Sequence, residues 1–139
     1  MAENTLILIV DDDSSDVLLA RRALVEGGIE HPIRAVGSGE AALEYLNGTG
    51  PYADREKFPF PSLLLLDIRM PGKSGLDVLR LMRETGQLEK VTVVVLAGNR
   101  DLQQVREAYQ LGAYSFLSKP LDPVEMGMLN QALRRARSA

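Results

Sequence analysis

The sequence has no cysteine among its 139 residues, and its net charge is only −3. Without cysteine, neither disulfide bonds nor thiolate metal sites can form. Apolar runs such as residues 63–66 and 93–96 are too short to cross a bilayer, and residues 1–4 lack the features of a signal peptide. No basic stripe is available for a nucleic acid. We therefore expect a soluble cytoplasmic protein that binds neither nucleic acid nor a membrane.

The length and composition are those of one globular domain. A chain of 139 residues with 45% apolar and 25% charged residues can bury a sizeable core. We find no internal repeat, low-complexity tract or linker. The sequence predicts a single domain over residues 1–139.

Five short apolar runs recur along the chain, and each is followed by a stretch with helical periodicity. The runs "SLLLLD" and "VTVVVL" show no alternation, which is typical of parallel strands buried on both faces. This order predicts an α/β fold with a five-stranded parallel sheet and helices on both faces. The predicted strands are residues 6–10, 33–36, 62–67, 91–96 and 115–117.

Side chains that suit helix starts precede most of the helical stretches. Asp13, Ser38 and Ser74 are predicted caps, and either Asn99 or Asp101 caps the fourth helix. The spacing of residues 102, 105 and 109 places Leu102, Val105 and Tyr109 on the buried face of that helix.

Residues 47–61 contain glycines and prolines that exclude regular structure. Such a long loop is uncommon in a compact domain, so it is either functional or a tolerated surface insertion. We expect Phe58 and Phe60 to fold back onto apolar surface.

Polar residues follow the predicted strands where each one ends. In open parallel sheets, ligands bind outside the carboxyl ends of the strands, so these residues should share one crevice. Clustered carboxylates there suit Mg²⁺, which takes one or two carboxylates together with a phosphate oxygen. Lys119 can pair with Asp67 at rest or with a transferred phosphoryl group. The residues are Asp11, Asp12 and Asp13 after strand one, Asp67 in strand three, Ala97, Gly98 and Asn99 at strand four, and Ser118, Lys119 and Pro120 at strand five.

The residues at these strand ends can also be explained by ordinary structural roles, without a ligand site. Asp13 fits a helix cap, and Asp16 fits the first turn of helix one, where the helix dipole favours an acid. A Lys-Pro pair by itself is usually a turn. The combination is more specific than any of its parts.

The segments "LILIVDDD", "LLLLDIRMPGKSG" and "FLSKP" give the chain a clear family resemblance. In this order and spacing they resemble the receiver domain of bacterial two-component response regulators, and the similarity covers nearly the whole chain. The resemblance implies a flavodoxin-like fold with strand order 2-1-3-4-5. The chain is most similar to the stand-alone, single-domain type. Its loop "GPYADREKFPFP" is similar to that of a subgroup paired with phytochrome-like sensor kinases.

The resemblance also implies roles for particular residues. Asp67 would accept a phosphoryl group from a phosphohistidine on a sensor kinase or phosphotransfer protein, and Lys119 would bind the acyl phosphate. Asp12 and Asp67 would bind Mg²⁺ directly, the Arg69 carbonyl would be the third protein ligand, and Asp11 would act through water. Output would come from contact with a downstream protein, through a face of helix four, strand five and helix five that could also form a homodimer.

The chain departs from the family pattern at the end of strand four. Thr or Ser is usual there, and "VVVLAGN" has Ala97 instead. A missing hydroxyl should weaken the coupling of phosphate to the following loop by about 1.5–3 kcal/mol, although the Gly98 N–H could still reach a phosphoryl oxygen. Phe116 stands at the partner switch position. Arg69 and Asn99 occupy the two positions that tune phosphoryl lifetime.

Three other functions compete with a phosphoryl acceptor. Ala97 favours a pseudo-receiver that works by protein contact without phosphate. A hydrolase of the dehalogenase type needs an acid two residues after Asp67, and Arg69 is there. A flavin carrier needs a hydroxyl- and glycine-rich phosphate loop after strand one, where residues 11–13 would repel the flavin phosphate. We predict a signalling module rather than an enzyme.

Overall fold

A five-stranded parallel sheet forms the centre of the protein, with strand order β2-β1-β3-β4-β5. The structure is a computed structural model that describes residues 6–99 and 101–138. The predicted flavodoxin-like fold and its strand order are confirmed. The strands are β1 (Ile7–Val10), β2 (Ile33–Val36), β3 (Leu63–Asp67), β4 (Thr92–Ala97) and β5 (Ser115–Ser118).

Within the part of the chain that the structure describes, five α-helices cover the two faces of the sheet, as predicted. Because successive residues of a strand point to opposite faces, each strand contributes to two separate cores. Leu64 and Leu66 lie in the core under α2, α3 and α4, whereas Leu63 and Leu65 lie in the core under α1 and α5. The helices are α1 (Ser14–Glu26), α2 (Gly39–Asn47), α3 (Gly75–Glu84), α4 (Leu102–Leu111) and α5 (Pro123–Ser138).

The predicted helix caps are confirmed. Asp13 and Ser38 cap α1 and α2, and Ser74 forms a reciprocal capping box with Asp77 at the start of α3. The cap of α4 is Asp101 rather than Asn99, and the Asp101 carboxylate accepts hydrogen bonds from two backbone N–H groups. These caps set the point at which each helix leaves the strand-end loops of the sheet.

The predicted buried face of α4 is partly wrong. Leu102 is 71% exposed and Tyr109 is 46% exposed, whereas Ala108 is completely buried. The helix packs through Ala108, with Val105 and Leu111 partly buried against the same core, whereas Leu102 and Tyr109 face outward. The Tyr109 hydroxyl instead accepts a hydrogen bond from the Phe116 N–H at 3.1 Å.

Several side chains anchor residues 47–61, among them Tyr45, which donates to the Pro59 carbonyl, and Arg34, which donates to the Lys57 carbonyl. Arg55 donates to the carbonyls of Leu46 at 2.8 Å and Phe58 at 3.0 Å. Phe58 and Phe60 pack against the larger core, as predicted. The segment is less irregular than expected, because α2 extends to Asn47 and a 3₁₀ turn forms at Gly50–Tyr52.

No helix within residues 6–99 and 101–138 is both long enough and apolar enough to cross a bilayer.

Candidate functional site

Backbone pairing brings the predicted site residues to one edge of the sheet. Asp67 is the last residue of β3, and its neighbour on β1 ends at Val10, so Asp11 emerges beside it. The backbone N–H of Asp11 donates to the Val36 carbonyl at 3.1 Å, and the backbone N–H of Lys119 donates to the Ala97 carbonyl at 2.8 Å. These two bonds continue the ladder beyond β1 and β5, so the following side chains emerge at the same edge.

Lys119 lies among three carboxylates. Its ammonium nitrogen is 2.7 Å from Asp11 Oδ2, 2.9 Å from Asp16 Oδ2 and 3.0 Å from Asp67 Oδ1. The predicted pairing of Lys119 with Asp67 is thus present in the structure. The contacts with Asp11 and Asp16 are hydrogen bonds, and the contact with Asp67 is an ion pair.

Asp11, Asp12 and Asp67 form a group of oxygen ligands. One carboxylate oxygen from each lies within 4.8 Å of the other two. Asp11 and Asp67 are buried, and Asp12 is exposed at the mouth of the group. A set of hard oxygen donors with one open side fits a divalent cation such as Mg²⁺ or Mn²⁺.

Burial and charge act in opposite directions on the two central groups. Burial raises the pKa of Asp67, while the contact with the Lys119 ammonium and its positive charge oppose that rise without cancelling it. Burial alone would lower the pKa of Lys119, but its contacts with the carboxylates of Asp11, Asp16 and Asp67 outweigh burial and raise it. Lys119 therefore stays a cation at neutral pH.

Asp16 is the site residue that sequence reasoning missed. Its predicted place in the first turn of α1 is correct, but its contact with Lys119 was not foreseen. Helical side chains point back toward the helix N-terminus, so a third-position acid can reach the end of the preceding strand. That geometry, applied to the helix start set by Asp13, is the signal that could have found it.

The loop after β3 depends on a close approach at Gly75. A Cβ atom built on Gly75 would lie 2.3 Å from the Asp67 carbonyl oxygen. The Gly75 N–H also donates to Ile68 at 3.1 Å. A side chain at this position would therefore displace the backbone that carries Asp67.

The other predicted positions divide into buried and exposed sets. Ala97 and Phe116 are buried in the same core, on neighbouring strands and on the same face of the sheet. Arg69, Gly98 and Asn99 are exposed. Gly98 borders a cavity that also contacts Lys119 and Asp16.

Comparison with known proteins agrees with this geometry. A family model described as "Response regulator receiver domain" matches residues 7–130. Response regulator Rcp1 of Synechocystis sp. is 32% identical over 114 residues, which is 82% of this chain and 76% of Rcp1. Several longer proteins match too, and the chain spans only 25% of one of them.

Solved structures show the same arrangement of strands and helices. The bacteriophytochrome response regulator AtBRR superposes with a TM-score of 0.81 at 31% identity, covering 94% of this chain and 92% of that one. Mn²⁺-bound Rcp1 gives 0.74 at 28% identity, covering 96% and 90%. The phosphorylated cyanobacterial phytochrome response regulator RcpA gives 0.75 at 27% identity, covering 97% and 90%.

Receiver domains of this family partner with histidine kinases or phosphotransfer proteins. The match over residues 7–130 and the shared fold therefore show that the chain belongs to the response regulator receiver domain family and is a response regulator of two-component signalling.

Proposed function

We propose that Asp67 accepts a phosphoryl group from a phosphohistidine on a sensor histidine kinase or phosphotransfer protein. The observation that carries the proposal is the buried Asp67 carboxylate, 3.0 Å from the Lys119 ammonium and within the group of oxygen ligands. The relative RcpA, whose structure is of a phosphorylated form, gives further support.

In the transfer, one Asp67 carboxylate oxygen attacks the phosphorus atom of phosphohistidine. A P–O bond forms as the P–N bond breaks, and the departing imidazole keeps the electron pair and takes a proton from solvent. Such reactions depend mainly on positioning and charge neutralisation. Lys119 neutralises part of the charge and moves from Asp67 to the phosphoryl oxygens.

Mg²⁺ is the proposed cofactor, and Asp12 and Asp67 would hold it directly. Asp11 would act through water, and the Arg69 carbonyl would supply a further oxygen. When bound, the metal neutralises charge on the attacking oxygen and the phosphoryl group. The ligand group of Asp11, Asp12 and Asp67 supports this assignment, as does the Mn²⁺-bound relative.

The proposal also covers the extent of the domain, the residues that tune and switch the phosphorylated form, and the surface that passes the signal on. Residues 1–139 form one receiver domain, which acts in the cytoplasm and at most promotes its own phosphorylation and dephosphorylation. Arg69 and Asn99 tune the phosphoryl lifetime, and the Gly98 N–H contacts the phosphoryl group. Output passes to a downstream protein through the face of α4, β5 and α5, which can also form a homodimer. Ala97 and Phe116 are the switch residues.

A phosphate-independent interaction module has little support beside this proposal. Ala97 is the feature that favours it. The convergence of Asp11, Asp12, Asp67 and Lys119 at one edge favours phosphoryl transfer instead.

The test is phosphorylation with acetyl phosphate and Mg²⁺, followed by intact mass spectrometry. We expect one phosphoryl adduct on the wild type and none on Asp67→Asn. Asp54→Asn is the matched control, because Asp54 is an exposed aspartate in the loop after α2 and should leave the adduct unchanged. A wild-type chain that gains no adduct would refute the proposal.

The metal assignment has its own test. Mg²⁺ should raise the thermal stability of the wild type through preferential binding to the folded state. Asp12→Asn should remove most of that increase. Asp13→Asn should retain it, because the neighbouring Asp13 serves as the cap of α1 and Asn caps a helix equally well. Equal losses in the two variants would contradict the assignment.

A further inference from the structure

One of the three carboxylates that contact Lys119 does not belong to the group of oxygen ligands formed by Asp11, Asp12 and Asp67. Among the described residues that contact its ammonium, Asp11 and Asp67 belong to that group and Asp16 does not. Asp16 comes from α1, whereas the other two come from strand ends. The contact joins residues that are 103 positions apart in sequence.

Packing alone does not fix the position of the Lys119 head group. A cavity of about 280 Å³ opens beside Lys119 and is lined by Asp11, Asp16 and Leu121, among other residues. An ammonium group next to open space is held by its hydrogen bonds rather than by neighbouring atoms. Three acceptors from three segments fix its position, and the loss of one leaves it free to swing into the cavity.

We propose that Asp16 is a positioning residue for Lys119, which keeps the ammonium directed at Asp67 during phosphoryl transfer. This inference rests on the proposed function. Asp11 and Asp16 accept two hydrogen bonds from the ammonium, and these two bonds hold its positive charge 3.0 Å from Asp67 Oδ1.

The role of Asp16 becomes larger after transfer. A phosphorylated Asp67 no longer offers a full carboxylate charge to Lys119, and Asp11 is shared with the metal site. Asp16 is then the carboxylate contact of Lys119 that neither event alters. It keeps the ammonium in place while the phosphoryl oxygens take over the contact that Asp67 made.

The test compares Asp16→Ala with Asp16→Asn. Alanine removes the acceptor, whereas asparagine keeps an acceptor oxygen and removes only the charge. With saturating Mg²⁺, we expect Asp16→Ala to weaken beryllofluoride binding and slow phosphorylation by about tenfold, the effect of losing one hydrogen bond to a charged group. Asp16→Asn should stay within about threefold of the wild type.

Asp13→Asn is the matched control for local charge. It removes one negative charge from the same end of α1, and the helix cap is retained. We expect this variant to bind beryllofluoride like the wild type. Urea unfolding of all three variants shows whether each one is folded under the assay conditions.

A second readout does not depend on phosphate. The ¹⁵N signal of the Lys119 ammonium in the free protein should be sharp and protected from exchange in the wild type and in Asp16→Asn. It should broaden or disappear in Asp16→Ala. If the wild type took up no phosphoryl group and this pattern still appeared, the proposed function would fail while the positioning of Lys119 by Asp16 would stand.

Three results would overturn the inference. Asp16→Ala could bind beryllofluoride as tightly as the wild type with an unchanged Lys119 signal. Asp16→Asn could lose as much beryllofluoride affinity as Asp16→Ala, which would make the charge of Asp16, rather than the position of Lys119, the cause of the loss. Asp13→Asn could show the same loss, which would make the effect a general one of α1.

Discussion

Replacing Lys119 with methionine should strongly destabilise the metal-free protein. Methionine keeps most of the length of the side chain and removes its charge. Asp11 and Asp67 have side chains only 5% and 8% exposed, so both carboxylates would remain buried without their cation. Removal of one partner from a buried ion pair costs about 3–5 kcal/mol, because the remaining charge stays in a medium of low dielectric constant.

Loss of the contact between Lys119 and Asp16 adds little to this loss of folding stability. The Asp16 side chain is 37% exposed, and contacts of that kind contribute about 0–1 kcal/mol. Proton uptake by the buried carboxylates would relieve part of their repulsion. We therefore expect Lys119→Met to lower the free energy of unfolding by about 3 kcal/mol at neutral pH. For a domain of this size, that loss corresponds to a fall in melting temperature of about 10 °C.

Urea unfolding with EDTA, followed by far-UV circular dichroism, measures this loss. The same substitution in an Asp67→Asn background should cost about half as much, because one buried carboxylate has been neutralised in advance. Millimolar Mg²⁺ should recover more stability in Lys119→Met than in the wild type, since no ammonium competes for the carboxylates. A loss below about 0.5 kcal/mol in EDTA would refute the electrostatic account of the pocket.

Four further predictions test other parts of the molecule. Asp67→Asn should raise the free energy of unfolding at neutral pH, because burial raises the folded pKa of Asp67 and its ionisation therefore costs stability; the difference should shrink as the pH falls through that pKa. Equal differences at pH 7 and in acid would contradict this. Gly75→Ala should cost about 2–3 kcal/mol in urea unfolding, because its Cβ would overlap the Asp67 carbonyl; Gly127→Ala, with open space around its Cβ, should not destabilise. Arg55→Ala should cost about 1–3 kcal/mol by leaving the Leu46 and Phe58 carbonyls without their donor, and an unchanged urea midpoint would argue against this role. Ala97→Thr should enlarge the change in amide exchange that beryllofluoride causes in the loop after β4, and an equal change in wild type would count against the predicted effect of Ala97.

Local patterns in the sequence predicted most of the fold. Uninterrupted apolar runs such as "LLLL" specify strands buried on both faces, and Ser74 specifies a helix start through a bond that spans only three residues. The strand order came from the family resemblance of the motifs around Asp67 and Lys119. Periodicity was less informative for α4, where Ala108 decided which side of the helix packs.

The sequence by itself determined the strands, the caps of α1, α2 and α3 and the polar residues that end each strand, because those features depend on neighbours within a few positions. Only the tertiary structure decided that Asp16 contacts Lys119 and that Arg55 holds the loop after α2. It also decided that Leu102 and Tyr109 face outward. These contacts depend on the distance and angle at which separate segments pack, and no local period in the chain encodes that geometry.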